Sequence, residues 1–265
     1  MSRQELADAM DAELTARPLP AAAVSVLGEW LAGTGAPYAT GTGAHAVTYV
    51  PERWSGVPSW PERFPERSLT ATATVSRAQV TDAVREAVRG GRWSEALVAS
   101  YVWGQGRIGY GPYRLKEILA EPNTPHVLAE AASALRDDGA VAAYRVLRGA
   151  VTGLGPAFFT KFLYFLDLAA DVPAAPRALV LDQRVAHVVR AHATRVGREA
   201  GLPSASETAA WTWTDGGWTP HRYERYLHWV ATASGQLASA GIGWPEDSPD
   251  LLELALFDGV WDPAS

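Results

Sequence analysis

The segment VTGLGPAFFTKFLYFLDLAADVPAAPRALVLDQRVAHVVR, residues 151–190, decides how the whole chain is interpreted. A Gly-Leu-Gly turn at residues 153–155 interrupts apolar residues at helical spacing, and Pro156 suits the first turn of the helix that follows. Both glycines permit a positive φ, and the amides at the N-terminus of the second helix can bind a phosphate. The pattern predicts a helix-hairpin-helix over about residues 141–170.

The composition is that of a folded globular protein. The chain has 265 residues, enough for one large domain or two interleaved ones, and includes 11 tryptophans. It has no cysteine, which excludes disulfides, thiolate nucleophiles and cysteine-ligated zinc. The start, MSRQELADAMDAEL, is typical of an acidic helix, and no apolar run reaches the ~18 residues of a membrane span. We expect a cytoplasmic protein without a membrane partner.

The charge is unevenly distributed, although the chain as a whole carries −6. Residues 141–200 hold eight basic and four acidic residues, whereas residues 201–265 hold two basic and nine acidic ones. A partner with a phosphate backbone would meet the central segment. A set of solvated helix faces is the alternative explanation.

Most of the chain has helical patterning, so the predicted fold class is mainly α. Ser76 and Gln79 form a predicted capping box, Asp137 or Asp138 is expected to cap a further helix, and Ser248 the last one. Residues 38–48 and 50–74 are predicted to be irregular. Three segments follow: 1–75, with N-terminal helices and a Trp/Pro-rich wrapping stretch; 76–200, the helical core; and 201–265, acidic Trp-rich helices packing on that core.

The residues after the hairpin carry a family resemblance. An apolar stretch, Leu179 to Leu181, precedes Asp182, which begins another helix. This arrangement resembles the helix-hairpin-helix DNA glycosylases, and more narrowly the 8-oxoguanine DNA glycosylase fold of bacterial relatives. The resemblance implies two helical subdomains with a cleft between them. It also implies a catalytic aspartate at this helix start and, in bifunctional members, a lysine that attacks C1′ of the deoxyribose.

The lysine of this chain departs from the family pattern. The family's lysine lies two residues after the second hairpin glycine, where this chain has Ala157. Lys161 lies one helical turn later on the same face, and the only other lysine is Lys116. The apolar neighbours of Lys161 would favour the neutral amine that a Schiff base requires. A lysine that extends to solvent from an apolar helix is the structural alternative.

Asp182 has two compatible interpretations. Aspartate is a preferred N-cap, and a carboxylate held at a helix start can also stabilise an oxocarbenium-like sugar or deprotonate a nucleophile. The predicted contacts to the DNA backbone come from the hairpin and from the two residues after Asp182: Gly153, Leu154, Gly155, Ala157, Gln183 and Arg184.

A glycine- and aromatic-rich loop follows the second predicted helix of the core. Such a loop can stack on a flipped base or insert into a duplex, and it can equally be a rigid connector. The candidate base-pocket or wedge residues are Trp103, Gln105, Arg107 and Tyr110. The C-terminal aromatic residues are instead expected to pack in the core: Trp211, Trp213, Trp218, Tyr223, Tyr226 and Trp229.

Together these patterns predict a DNA glycosylase that flips and excises a damaged or modified base, with an oxidised purine such as 8-oxoguanine implied by the resemblance. Lyase activity through a lysine Schiff base is a further expectation. The expected partner is double-stranded DNA carrying such a base, bound by a nucleoid-associated monomer without a metal or cofactor. Two alternatives stay open: a non-catalytic helix-hairpin-helix DNA-binding protein, and a glycosylase acting on modified phage bases.

Overall fold

The computed structural model describes residues 1–41, 43–66, 71–107 and 109–264, and this part of the chain is mainly helical, as predicted. Its helices are α1 (Arg3–Ala16), α2 (Ala21–Ala32), α3 (Ala36–Ala39), α4 (Arg77–Arg89), α5 (Trp93–Gln105), α6 (Gly111–Ala120), α7 (Thr124–Asp138), α8 (Ala140–Leu147), α9 (Pro156–Ala169), α10 (Gln183–Glu199), α11 (Ala205–Thr212), α12 (Pro220–Ser239) and α13 (Pro249–Phe257). None of these described helices is both long and apolar enough to cross a membrane.

A small sheet occurs where the sequence predicted irregular structure. Strands β1 (Val47–Tyr49) and β2 (Ala73–Val75) pair antiparallel, with Val47 opposite Val75. Each strand has three residues, too few for an alternating pattern to be recognised. Between them lie a 3₁₀ helix at Pro51–Trp54 and a stretch without regular elements in its described part. Thr42 and residues 67–70 of the predicted irregular segments lie outside the described residues.

Local capping explains several helix starts. The Ser76 hydroxyl accepts from the Gln79 amide at 3.2 Å, and the Gln79 side chain accepts from the Ser76 amide at 2.8 Å, which confirms the capping box. Ser248 does occupy the N-cap position of α13, but its side chain makes no capping hydrogen bond. Asp182 caps α10 through its side chain, as predicted.

The predicted aspartate cap of α8 is wrong. Gly139, with a φ of 87°, separates α7 from α8 and occupies the N-cap position. Asp138 is the last residue of α7, and the Asp137 carboxylate accepts from Arg136 at 2.8 Å. Glycine adopts this positive φ without strain, whereas an aspartate at the same position would be strained. The chain therefore changes direction at Gly139 and not at the aspartate before it.

The chain folds into two compact units. The terminal unit consists of residues 1–43 and 181–265, and the central unit consists of residues 44–180. The two ends of the chain therefore share one unit. Of the predicted site residues, the hairpin, Lys161 and the loop after α5 belong to the central unit, whereas Asp182, Gln183 and Arg184 belong to the terminal unit.

The aromatic residues of the C-terminal segment form much of the terminal unit's core. Those that are at most 3% exposed, as predicted, are Trp213, Trp218, Tyr223, Tyr226 and Trp229. Trp211 is different, because it is 39% exposed and the Arg3 guanidinium lies 4.5 Å from its ring centroid. The prediction of core packing is therefore wrong for Trp211.

A buried ion pair joins the first helix of the terminal unit to α12. Arg222 Nη1 donates to Asp11 Oδ1 at 2.5 Å, and both residues are less than 9% exposed. We expect Asp11→Ala to lower the free energy of unfolding by about 3–5 kcal/mol, because it leaves the Arg222 charge buried without its partner. Urea unfolding followed by circular dichroism measures this loss. Asp137→Ala, which removes an exposed ion pair, is the control and should leave the midpoint almost unchanged.

Candidate active-site residues

The hairpin turn lies between α8 and α9 in the central unit. Gly153 has a φ of 80°, so this position favours glycine, whereas Gly155 has a φ of −83° and occupies the N-cap position of α9. Both glycines permit a positive φ, but only Gly153 adopts one. Leu154 between them is 3% exposed and anchors the turn in the core.

The hairpin leaves backbone amides available. Phe158 and Phe159 both donate to the Gly155 carbonyl at 3.0 Å. The amides of Gly153, Gly155 and Ala157 have no acceptor among the described residues. A Cβ built on Gly155 would meet nothing within 4 Å, so the space in front of this helix start is open.

One carboxylate lies close to the hairpin. The Thr152 amide donates to Glu121 Oε2 at 3.4 Å. Glu121 follows α6 directly, and Ile118 of that helix lies 3.7 Å from a Cβ built on Gly153. The end of α6 therefore packs beside the turn.

Lys161 lies in the second turn of α9 and is 8% exposed. Its Nζ donates to the Ala157 carbonyl at 2.7 Å and lies 5.6 Å from the centre of the Phe158 ring. The side chain therefore runs back towards the start of the helix and does not extend into solvent. The amine is thus bound to a backbone carbonyl of the first turn of α9.

The end of α5 packs against the same part of α9. The rings of Tyr101 and Phe158 stack with centroids 4.1 Å apart, and those of Trp103 and Phe165 meet edge to face at 5.1 Å. Burial raises the pKa of Tyr101 to about 12, so its hydroxyl stays protonated at neutral pH. The structure thus brings the glycine- and aromatic-rich segment next to Lys161.

The four candidate base-pocket or wedge residues divide into two pairs. Trp103 is 7% exposed, and the Gln105 side chain lies over Gly111 at the start of α6. Arg107 is exposed, and Tyr110 is 78% exposed. Ile108 of the same loop lies outside the described residues.

His45 was missed by the sequence analysis. It has a φ of 38°, unusual for a residue other than glycine, and its ring meets that of Trp103 at 5.0 Å. Its carbonyl accepts from Trp103 Nε1 at 3.1 Å, and Arg77 Nη2 donates to its Nδ1 at 2.8 Å. Burial, with help from the Arg77 charge, lowers the pKa of His45 to about 4. The ring is therefore neutral with its proton on Nε2. No motif marks this histidine, because it lies in a Gly/Thr/Ala-rich stretch.

Asp182 is held at the start of α10 in the terminal unit. Its Oδ1 accepts from the Val185 amide at 3.1 Å, and its side chain is partly exposed. Leu181 before it is fully buried, which fixes the chain at this point. Burial raises the pKa of Tyr226 well above its usual range, and the nearby Glu253 and Asp182 carboxylates act in the same direction. Glu253 is 3% exposed and was also missed, since a single glutamate in an apolar helix has no spacing signal.

Gln183 and Arg184 are exposed but have partners inside the terminal unit. The Gln183 side chain lies near Asp215, a carboxylate that accepts from His187 at 2.8 Å. The Arg184 guanidinium lies 4.9 Å from the centre of the Phe257 ring. Contacts to DNA would have to compete with these interactions.

Comparison with known proteins gave one match. The model of the family described as "Putative 8-oxoguanine DNA glycosylase OGG-like protein" matches residues 40–257. No curated protein and no solved structure matches the chain. The matched range includes all the candidate site residues of both units.

Proposed function

The chain belongs to the OGG-like 8-oxoguanine DNA glycosylase family, and on that premise we propose that it excises an oxidised purine such as 8-oxoguanine from duplex DNA and then nicks the strand. The proposal of a nicking step rests on the conformation of Lys161, whose amine donates a hydrogen bond to the carbonyl of Ala157. That residue occupies the position where the family resemblance expects a lysine. The side chain thus brings its amine back towards that position, which supports the assignment of Lys161 as the nucleophile.

The reaction that we propose for this lysine is a displacement at the sugar. The target nucleotide is flipped out of the stack, because its C1′ is inaccessible inside a duplex. The amine of Lys161 loses a proton and forms a bond to C1′ as the bond to the base breaks, and the base leaves with the electron pair and takes up a proton. The C1′–O4′ bond of the adduct then breaks as the imine forms, and O4′ keeps the electron pair and takes up the proton released from the nitrogen. Loss of a proton from C2′ with departure of the 3′ phosphate cuts the strand.

Asp182 is proposed to supply the negative charge. Its capping bond to the Val185 amide fixes the carboxylate but uses only one of its several acceptor sites. A fixed carboxylate stabilises the positive charge that develops on the sugar as the base departs.

The hairpin is proposed to bind a DNA phosphate. Its free amides are the donors that such contacts use, and the helix dipole adds favourable potential at the same place. Arg145 and Arg148, which precede the turn in the same unit, act in the same direction. Glu121 opposes it, so the phosphate should bind on the open side of Gly155.

The substitution Gly155→Glu tests this contact. The position has an ordinary φ and free space for a side chain, so the variant should fold normally while placing a carboxylate where the phosphate binds. We expect the dissociation constant for duplex DNA to rise by about tenfold or more for every sequence, and the salt dependence to become shallower as a phosphate contact is lost. Fluorescence anisotropy at several salt concentrations measures both.

Gly216→Glu is the matched control. Gly216 is exposed, and a Cβ there would also meet nothing within 4 Å, but it lies in the acidic C-terminal segment. This variant has the same change of net charge and should bind DNA almost as the wild type does. If a folded Gly155→Glu protein kept wild-type affinity, the hairpin assignment would be wrong.

The loop after α5 is proposed to interact with the flipped base and the gap that it leaves. Exposed Tyr110 and Arg107 are suited to enter or flank the duplex, where aromatic stacking and charge both contribute. Trp103 and Gln105, which are more buried, are suited to form the wall of a base pocket.

A second candidate function is favoured by Ala157. A chain without a lysine at this position could bind DNA through the hairpin and lack the chemistry. A panel of duplexes, each with one altered base, separates the candidates by measuring release of free base. We expect release of an oxidised purine. Release of a hypermodified phage base would assign a different substrate, and binding without any release would favour the non-catalytic protein.

A further inference from the structure

Gly104 lies in the last turn of α5, facing Lys161 of α9. A Cβ built on it would lie 2.4 Å from Cδ and 3.0 Å from Cε of that lysine. Carbon atoms that are not bonded prefer about 3.5–4.0 Å, so no side chain fits at this position while Lys161 keeps its conformation. The third nearest atom, Cγ at 3.8 Å, also belongs to Lys161.

The backbone does not explain this glycine. Gly104 lies within a helix and lacks the positive φ that favours glycine at Gly106, two residues later. Glycine inside a helix destabilises it relative to alanine, because it restricts the unfolded chain less. The space that it leaves is occupied by the stem of Lys161, to which all three nearest atoms among the described residues belong.

We propose that Gly104 is a positioning residue: its missing side chain lets the stem of Lys161 turn back along α9 and hold the amine at the Ala157 carbonyl. This inference rests on the proposed role of Lys161 as the nucleophile. It names Gly104 as the residue that allows a lysine at position 161, instead of position 157, to direct its amine towards the hairpin. A methyl group at residue 104 would force the stem to leave this path and move the amine away from the hairpin.

The first test measures the position of the lysine without DNA. A brief pulse of an amine-acylating reagent, followed by peptide mass spectrometry, gives the reactivity of Lys161 relative to Lys116. Lys116 is exposed and serves as the internal standard, whereas Lys161 is 8% exposed. In Gly104→Ala the ratio should rise several-fold, because the amine is displaced from its buried hydrogen bond. An unchanged ratio in the folded variant would overturn the proposal.

The second test is a double-mutant cycle on thermal stability. Gly104→Ala should lower the midpoint of unfolding in the wild-type background and should not lower it in Lys161→Ala, where the clashing stem is absent. Gly235→Ala in α12, where a Cβ would meet nothing within 4 Å, controls for the general effect of alanine in a helix. Equal losses in both backgrounds would show that the methyl group clashes elsewhere and would reject the proposal.

The third test measures the reaction. On duplexes containing 8-oxoguanine, the rate of borohydride trapping by Gly104→Ala should fall by about 10²-fold, the scale of a ~1 Å misplacement, with DNA affinity unchanged. Trapping at the wild-type rate would overturn the proposal. If the wild type forms no adduct while the first two tests give the expected results, Gly104 does position Lys161, and the failure belongs to the proposed chemistry.

Discussion

Lys161→Gln should abolish both borohydride trapping and strand nicking. Glutamine keeps much of the length and polarity of the side chain, so the packing against Gly104 and Phe158 should survive, but an amide cannot form an imine. Duplex binding should be retained, because the hairpin amides are unaffected. Trapping assays on denaturing gels, with anisotropy measurements on the same duplex, separate the two properties.

Lys116→Gln provides the matched control. It removes the chain's other lysine, which lies on the exposed face of α6, and should trap at the wild-type rate. If trapping persisted in Lys161→Gln and disappeared in Lys116→Gln, the nucleophile would be the other lysine. A further variant, Ala157→Lys combined with Lys161→Ala, should recover nicking, because the lysine then begins at the residue that the amine of Lys161 already reaches.

Asp182→Asn should reduce base release by about 10²–10⁴-fold, the range over which positioned acid–base and charged groups contribute to catalysis. Asparagine caps helices about as well as aspartate, so the stability of α10 should change little. The variant therefore removes the charge and preserves the cap. Single-turnover release of free base, measured beside thermal unfolding, distinguishes the two roles.

Ser76→Ala is the converse control for Asp182. It removes a side-chain cap from α4 and should cost about 1 kcal/mol of stability, with base release unaffected once the protein is folded. Full activity of Asp182→Asn would leave Asp182 as a helix cap only. A large loss of stability in that variant would mean that the cap depends on the charge.

The sequence predicted the features that depend on local spacing. The capping box at Ser76, the helix start at Asp182 and the turn before Pro156 are each encoded within a few residues, and the structure contains all three. The mainly α fold follows from the same periodicity, and the family membership confirms the resemblance drawn from the hairpin and the aspartate.

The features that the sequence did not predict depend on contacts between distant segments. His45 approaches Trp103 only because the chain before β1 packs against α5. Glu253 and Asp182 both lie near Tyr226 only because α13 packs in the same unit as α10 and α12. The joining of both chain ends in one unit has the same origin. The side chain of Lys161 likewise turns back towards the start of α9 because Gly104, in α5, leaves space for it.

The most direct test of the proposed function is to identify the trapped residue. Wild-type protein is incubated with a duplex containing one 8-oxoguanine, reduced with borohydride and digested, and the peptide that carries the sugar adduct is sequenced by mass spectrometry. We predict a single adduct on the peptide containing Lys161. An adduct on Lys116 or on the N-terminal amine, or release of base without any adduct, would contradict the assignment of Lys161 as the nucleophile.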